Sequence, residues 1–229
     1  VASQMDGSFG RFPVDIVIFA LIAAFLALRL RSVLGKKVGF QPMPVPTPAP
    51  REAEGPVIEG RAEPPSSPKF DIPAPGTRVG QQLALLATKE RGFTPQQFLT
   101  GVDGAFRQVV TAYAAGDRNV LRERLTPAAF TAFDAAITAR DAASEVQKSE
   151  IRAINSIAIE DVRIEDVAAG TAAAIDARIV SDQISMTLGP DGKPVTGTDA
   201  VTEFSDLWTF ERLIGVSGSS WRLAAARSA

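Results

Sequence analysis

The chain has no cysteine and no histidine among its 229 residues. Without cysteine there are no disulfides, no thiolate nucleophile, no zinc–thiolate site and no lipidated cysteine. Without histidine it lacks the side chain most used for acid–base work near neutral pH, which is also the commonest metal ligand. Catalysis would fall to Asp, Glu, Lys, Ser or the single tyrosine, and no motif brings these together. The sequence therefore reads as a binding protein and not an enzyme, with no cofactor and no metal site expected. An excess of positive charge is also missing. The 24 basic and 26 acidic residues leave a net charge of −2, which argues against nucleic acid as a partner, since such binders usually carry a basic stripe on the folded part.

One long apolar run is present. From Val14 to Leu28 the chain reads VDIVIFALIAAFLAL, with Asp15 as its only charge. Counted from Phe12 to Leu34, this is long enough for a transmembrane helix, about 20 residues being needed. Apolar residues wrap the whole cylinder, unlike the one-sided pattern of a helix lying in the interface. A cleaved signal peptide would carry its cations before the apolar core. Here Asp6 and a lone Arg11 precede it, while Arg29, Arg31, Lys36 and Lys37 follow it. The segment is expected to be an uncleaved anchor with its C-terminal side in the cytoplasm, by the excess of positive charge there. Phe19 and Phe25 would touch lipid, and Arg29, Arg31, Lys36 and Lys37 would lie at the headgroups, where anionic phospholipid is a natural partner.

Composition then divides the chain into a tail (1–11), the anchor (12–34), a basic flank with a proline-rich linker (35–79), and a folded domain (80–229). Eleven of the sixteen prolines fall between Pro42 and Pro75, in runs such as PMPVPTPAP. A stretch of this kind buries too little surface to fold and acts as a semi-rigid spacer.

The domain opens with helices. Leu83, Leu86 and Ala87 mark an amphipathic helix closing at Gly92. Thr94 and Pro95 give a helix start with Gln97 placed for a capping box. Phe98, Val102, Phe106, Val109, Val110 and Tyr113 follow at helical spacing up to Gly116. Asp117 caps a short helix carrying Val120, Leu121 and Leu125. Thr126 and Pro127 start a third long one with Phe130, Phe133 and Ile137, reaching about Ala143.

After Lys148 the period changes from helical to alternating. Ile157 to Ile164 form a strand with one phase break. Ala173, Ile175, Ala177 and Ile179 alternate, and Ile184, Met186 and Leu188 continue out of phase, which predicts a β-bulge between the two sets. GPDGK (Gly189 to Lys193) is a hairpin turn. Phe204, Trp208 and Phe210 share a face of the next strand, and Trp221, Leu223 and Ala225 alternate on the last. Helices followed by four antiparallel strands make an α+β domain, with the helices packed on one face of a curved sheet that closes as a cone over an apolar hollow. Asp161, Glu165 and Asp166 are expected near a turn, solvated.

Several of these segments resemble the family of mitochondrial import inner-membrane translocase subunit 44. WTFER (Trp208 to Arg212) with WRL (Trp221 to Leu223) is similar to that family's C-terminal signature. FRQVVTAYAAGDRNVLRERLTPAAFTAF (Phe106 to Phe133) is similar to its helical pattern. The anchor with LRLRSVLG and a proline-rich stretch after it looks like the layout of α-proteobacterial members. The resemblance implies a fold similar to nuclear transport factor 2. It also implies protein partners at the inner membrane or in translocation, with no turnover. The long charged helical region by which mitochondrial members engage a chaperone is missing. Leu83, Leu85 and Leu86 with Lys89 and Arg91 match the lipid-touching helices of that family, and equally a helix packed on its own domain.

The side chains expected around the hollow are Phe106, Tyr113, Phe133, Phe204, Asp206, Trp208, Phe210 and Trp221, either as core or as pocket lining. Strict alternation puts Asp206 on the aromatic face between Phe204 and Trp208. Related cone-shaped isomerases use an Asp and a Tyr, so Asp206 and Tyr113 are the pair an enzyme would employ. Arg212 reads as a structural ion-pair partner.

Overall fold

The computed structural model describes residues 67–229. The expected anchor, with Phe19, Phe25, Arg29, Arg31, Lys36 and Lys37, lies outside the described residues, as does most of the linker. No helix among the described residues is long and apolar enough to cross a membrane.

Four helices precede the long strands, each begun by a side chain that accepts a hydrogen bond from its own first turn. In α1 (Arg78–Lys89) the Thr77 hydroxyl oxygen accepts from the Gly80 N–H at 3.0 Å. In α2 (Pro95–Ala115) Thr94 accepts from Gln97 N–H at 3.2 Å, and Gly116 closes the helix at φ 70°. In α3 (Arg118–Arg124) the Asp117 carboxylate accepts from Asn119 and Val120 at 3.0 and 3.2 Å. In α4 (Pro127–Ala142) Thr126 accepts from Ala129 at 3.3 Å. These caps satisfy N–H groups that have no partner inside the helix. Thr94→Ala is expected to lower stability by about 1 kcal/mol, read as a shift of the urea midpoint at unchanged slope. Thr94→Ser should restore most of it. The first helix stops at Lys89 and leaves Gly92 in the following loop, and Ala87 is on its exposed side.

The strands are β1 (Lys69–Asp71), β2 (Val146–Val167), β3 (Gly170–Leu188), β4 (Pro194–Leu213) and β5 (Arg222–Ser228), in sheet order β1-β2-β3-β4-β5. The expected four-stranded antiparallel sheet is thus corrected to a five-stranded mixed one. The antiparallel set β2–β5 is joined by β1, which runs parallel to Ser156–Ala158 of β2. A three-residue strand flanked by Pro68 and Pro73 gives no alternation to detect, and an edge strand tolerates flanking prolines. The turn after β1 is fastened to α1. Both the N–H and the hydroxyl of Thr77 donate to the Ala74 carbonyl, at 2.9 and 2.7 Å. A Cβ at Gly80 would overlap that same carbonyl.

The bulges against β3 lie on β2, where one phase break was expected between Ile159 and Val162, and the bulge expected on β3 is absent. Between β2 and β3 the register shifts at Ile151/Ala153, Ile154/Ser156 and Ile159/Asp161, each time with one extra residue on β2. Such bulges bend a strand and increase its twist. Along β3 the buried positions stay strictly in phase: Ala173, Ile175, Ala177, Ile179, then Ser181, Gln183, Ser185 and Thr187. The inward face therefore changes from apolar to polar at Ser181, and Ile184, Met186 and Leu188 lie on the opposite face. A bulge does occur on β5. Thr209 pairs with Ala225 while Phe210 pairs with Leu223, so the buried residues are Leu223, Ala224 and Ala226, and Ala225 does not continue the face. Trp221 precedes this strand.

The helices cover the apolar half of the sheet, with α2 lying mainly on β2. Leu86, Leu99, Phe106, Leu121 and Ile137 meet Ile157, Ile175, Ile179, Trp208, Phe210 and Leu223 in one continuous core. Leu83 and Leu86 of α1 belong to it, while Leu85 is exposed.

The outer face of the sheet is held by charge. Asp161 lies within β2 and is half-buried, away from any turn, while Glu165 and Asp166 are exposed at the end of that strand beside the turn at 168–169, as expected. Arg163 grips Asp176 with two hydrogen bonds of 2.8 and 2.9 Å and reaches Asp161 at 2.7 Å, while Arg78 pairs with the same Asp161. Burial pushes the Asp161 carboxyl up, but hydrogen bonds from Arg78 and Arg163 outweigh it and hold the group below its ordinary range.

Candidate functional site

Most aromatic side chains of the domain fall into two groups. In the first, Phe106 meets Trp208 at 4.7 Å between ring centroids, Trp208 meets Phe210 at 6.1 Å, and Phe210 meets Phe98 edge-on at 5.9 Å. Phe98 then meets Trp221 at 5.0 Å and Phe93 at 6.4 Å, and Phe93 closes on Trp221 at 6.1 Å. In the second, Tyr113 and Phe133 pair edge-on at 5.4 Å, and the Arg140 guanidinium lies 5.1 Å from the Tyr113 ring. Phe106, Phe133 and Trp208 are sealed inside the core. Phe204 and Asp206 are also buried, on the same face of β4 as Trp208. Asp206, only 1 % exposed, sits where alternation placed it.

The first group runs from the core to the surface and ends in a cleft of about 340 Å³. Of the eight side chains expected around a hollow, Phe210 and Trp221 line this cleft. The rest of its wall includes Phe93 and Phe98, Gln97, Gly101, Val102 and Ala105 of α2, Ser220, and the cations Arg91, Arg124 and Arg212 with Glu90. Phe93 precedes the Thr94 cap and Phe98 is the fourth residue of the helix, the positions of a hydrophobic staple. That pattern was available in the sequence and would have pointed to Phe93.

Arg212 is an ion-pair partner, as expected, but its carboxylate comes from the end of α1 and not from a neighbouring strand. Its Nη2 donates to Glu90 Oε1 at 2.8 Å, and the other Glu90 oxygen accepts from the Gly215 N–H at 3.0 Å. This pair ties α1 to the turn after β4 and consumes the one carboxylate of the cleft. Arg91 and Arg124 make no ion pair with the described residues. The cleft thus presents aromatic surface with a net positive rim. It can hold an apolar group next to negative charge.

Residues 79–228 match the family model described as Tim44-like domain. Among solved structures, the intermembrane-space region of the chloroplast protein ARC6 is similar at 13% identity, over 56% of this chain and 94% of that one, with a TM-score of 0.39. No curated protein matches the sequence.

Proposed function

The chain belongs to the Tim44-like domain family, and from that premise we propose that it is a membrane-anchored adaptor. In this reading residues 12–34 cross the bacterial inner membrane once, with the N-terminus outside. The linker spaces the Tim44-like domain from the cytoplasmic face, aided by anionic phospholipid at Arg29, Arg31, Lys36 and Lys37. The domain binds inner-membrane or translocation-associated proteins and carries out no reaction. The observation that supports this best is the cleft itself. Phe93 and Trp221 are partly exposed at the cleft, over the buried rings of Phe98 and Phe210, and aromatic residues of this kind are enriched at protein interfaces. A second reading, a small-molecule or lipid-binding domain with isomerase-like use of Asp206 and Tyr113, draws on the burial of Asp206.

The adaptor reading is tested by crosslinking the full chain in its native membranes and identifying what is captured by mass spectrometry. A variant lacking residues 1–66 serves as control. Specific inner-membrane or translocation-associated proteins should be recovered with the full chain and lost with the control. Recovery of none, together with a metabolite or lipid that stays with the purified domain and is released by Asp206→Asn, would favour the second reading instead.

A further inference from the structure

We propose that the aromatic cleft receives one large apolar side chain of a partner polypeptide, flanked on that partner by carboxylates. This rests on the adaptor reading and names the partner's chemistry. Three features of the cleft point to it.

The first is shape. Where α2 borders the cleft it offers Gly101, Val102 and Ala105, so the helix leaves room beside the Phe93, Phe98 and Trp221 rings. A Cβ built at Gly101 meets nothing within 4 Å. Glycine inside a helix costs up to about 1 kcal/mol relative to alanine, and neither packing nor a positive φ requires it here. The second is charge. Of the three arginines in the wall only Arg212 is neutralised, by Glu90. Arg91, in the loop after α1, and Arg124, at the end of α3, approach from separate elements and have no ion-pair partner among the described residues. Guanidinium groups favour carboxylates, with which they form charge-assisted hydrogen bonds. The third is the presence of neutral polar groups beside the rings. The Gln97 amide and the Ser220 hydroxyl line the cleft and make no side-chain hydrogen bond with the described residues. They match the amide groups of a peptide and have no counterpart along an acyl chain.

The test uses the full chain in neutral detergent and a short fluorescent peptide in which one phenylalanine is flanked on each side by two aspartates. Of the two tryptophans, Trp208 is sealed in the core and Trp221 lines the cleft, so emission from Trp221 reports occupancy. The peptide should bind saturably and shift that emission. Gly101→Leu fills the space beside the rings and should weaken binding at least tenfold, with a melting temperature no lower than that of the parent. Arg124→Glu should weaken it by a similar factor, and a peptide with lysines in place of the aspartates should not bind. Equal binding by the Gly101→Leu variant, or by the lysine peptide, overturns the proposal. So does a Trp221 response to anionic phospholipid vesicles that the peptide fails to displace. If membrane crosslinking captures the same partner with Gly101→Leu as with the parent, the cleft assignment fails while the adaptor reading stands.

Discussion

Trp208→Ala is expected to remove about 4–5 kcal/mol of unfolding free energy, the upper end of what truncating a buried aromatic costs. Trp208 is 1 % exposed, and its ring is held by Phe106 from α2 and Phe210 from its own strand. Its neighbours across the sheet decide where in the range the effect falls. Trp208 is in register with Ala177 on β3 and Ala226 on β5, both buried. The large side chain thus fills space that two small ones leave open, and neither can extend into the cavity that truncation would create. Since a domain of this size is stabilised by only about 5–15 kcal/mol, the variant should sit close to the threshold of folding. Urea denaturation followed by far-UV circular dichroism measures the loss. Trp208→Phe should recover roughly half, because it keeps a ring against Phe106. A loss below about 1.5 kcal/mol for the alanine variant would mean that the core repacks, contrary to this account.

Gly197→Ala is the second. Gly197 lies in β4 at φ 82°, a conformation that disfavours any residue with a Cβ. It also stands opposite Met186, where an added Cβ would overlap the backbone carbonyl of Ser185. Strain and overlap together are expected to cost about 2–4 kcal/mol. The cost should fall on the end of the sheet beyond the core, where β3 carries Ser185 and Thr187 inward and Gln147 of β2 reaches both, at 3.2 and 2.7 Å. Amide hydrogen exchange should show lost protection at 183–188 and 194–202, while the strand segments around Ile175 and Trp208 keep theirs. Uniform loss across the whole sheet would show instead that this end unfolds only together with the core.

The polar end of the sheet also shows where the sequence misleads. Alternation finds strands well when one face is apolar, as with Ala173 to Ile179 or Phe204 to Phe210. It assumes, however, that the apolar residues are the buried ones. From Ser181 onward β3 turns hydroxyls and an amide inward and apolar residues outward, so an unbroken strand imitates a bulged one. The same inward polarity hides the start of β2, where Gln147 and Ser149 face the polar end before Ile151 and Ile154 join the core. The helix starts were readable because a cap is a local event, settled by Thr94 with Pro95 or Thr126 with Pro127. The cleft was readable only in parts. Phe210 and Trp221 stand out as single aromatics, but Arg91, Gly101 and Arg124 join them only once the loop after α1, the first half of α2 and the end of α3 meet at β4. No spacing within the chain encodes that meeting.

The attachment of β1 has a mechanical consequence. Any pull transmitted from the chain before Ser67 reaches β1 first, and β1 is held by three paired residues on the outer edge of β2. The Ala74–Thr77 turn, packed against Gly80, carries the load next. Peeling β1 away would release the stretch from Lys69 to about Ile72 as slack, at roughly 3.5 Å per residue, before α1 or any long strand felt tension. In the anchored arrangement proposed above, the short parallel strand would thus act as a strain relief between the domain and its tether.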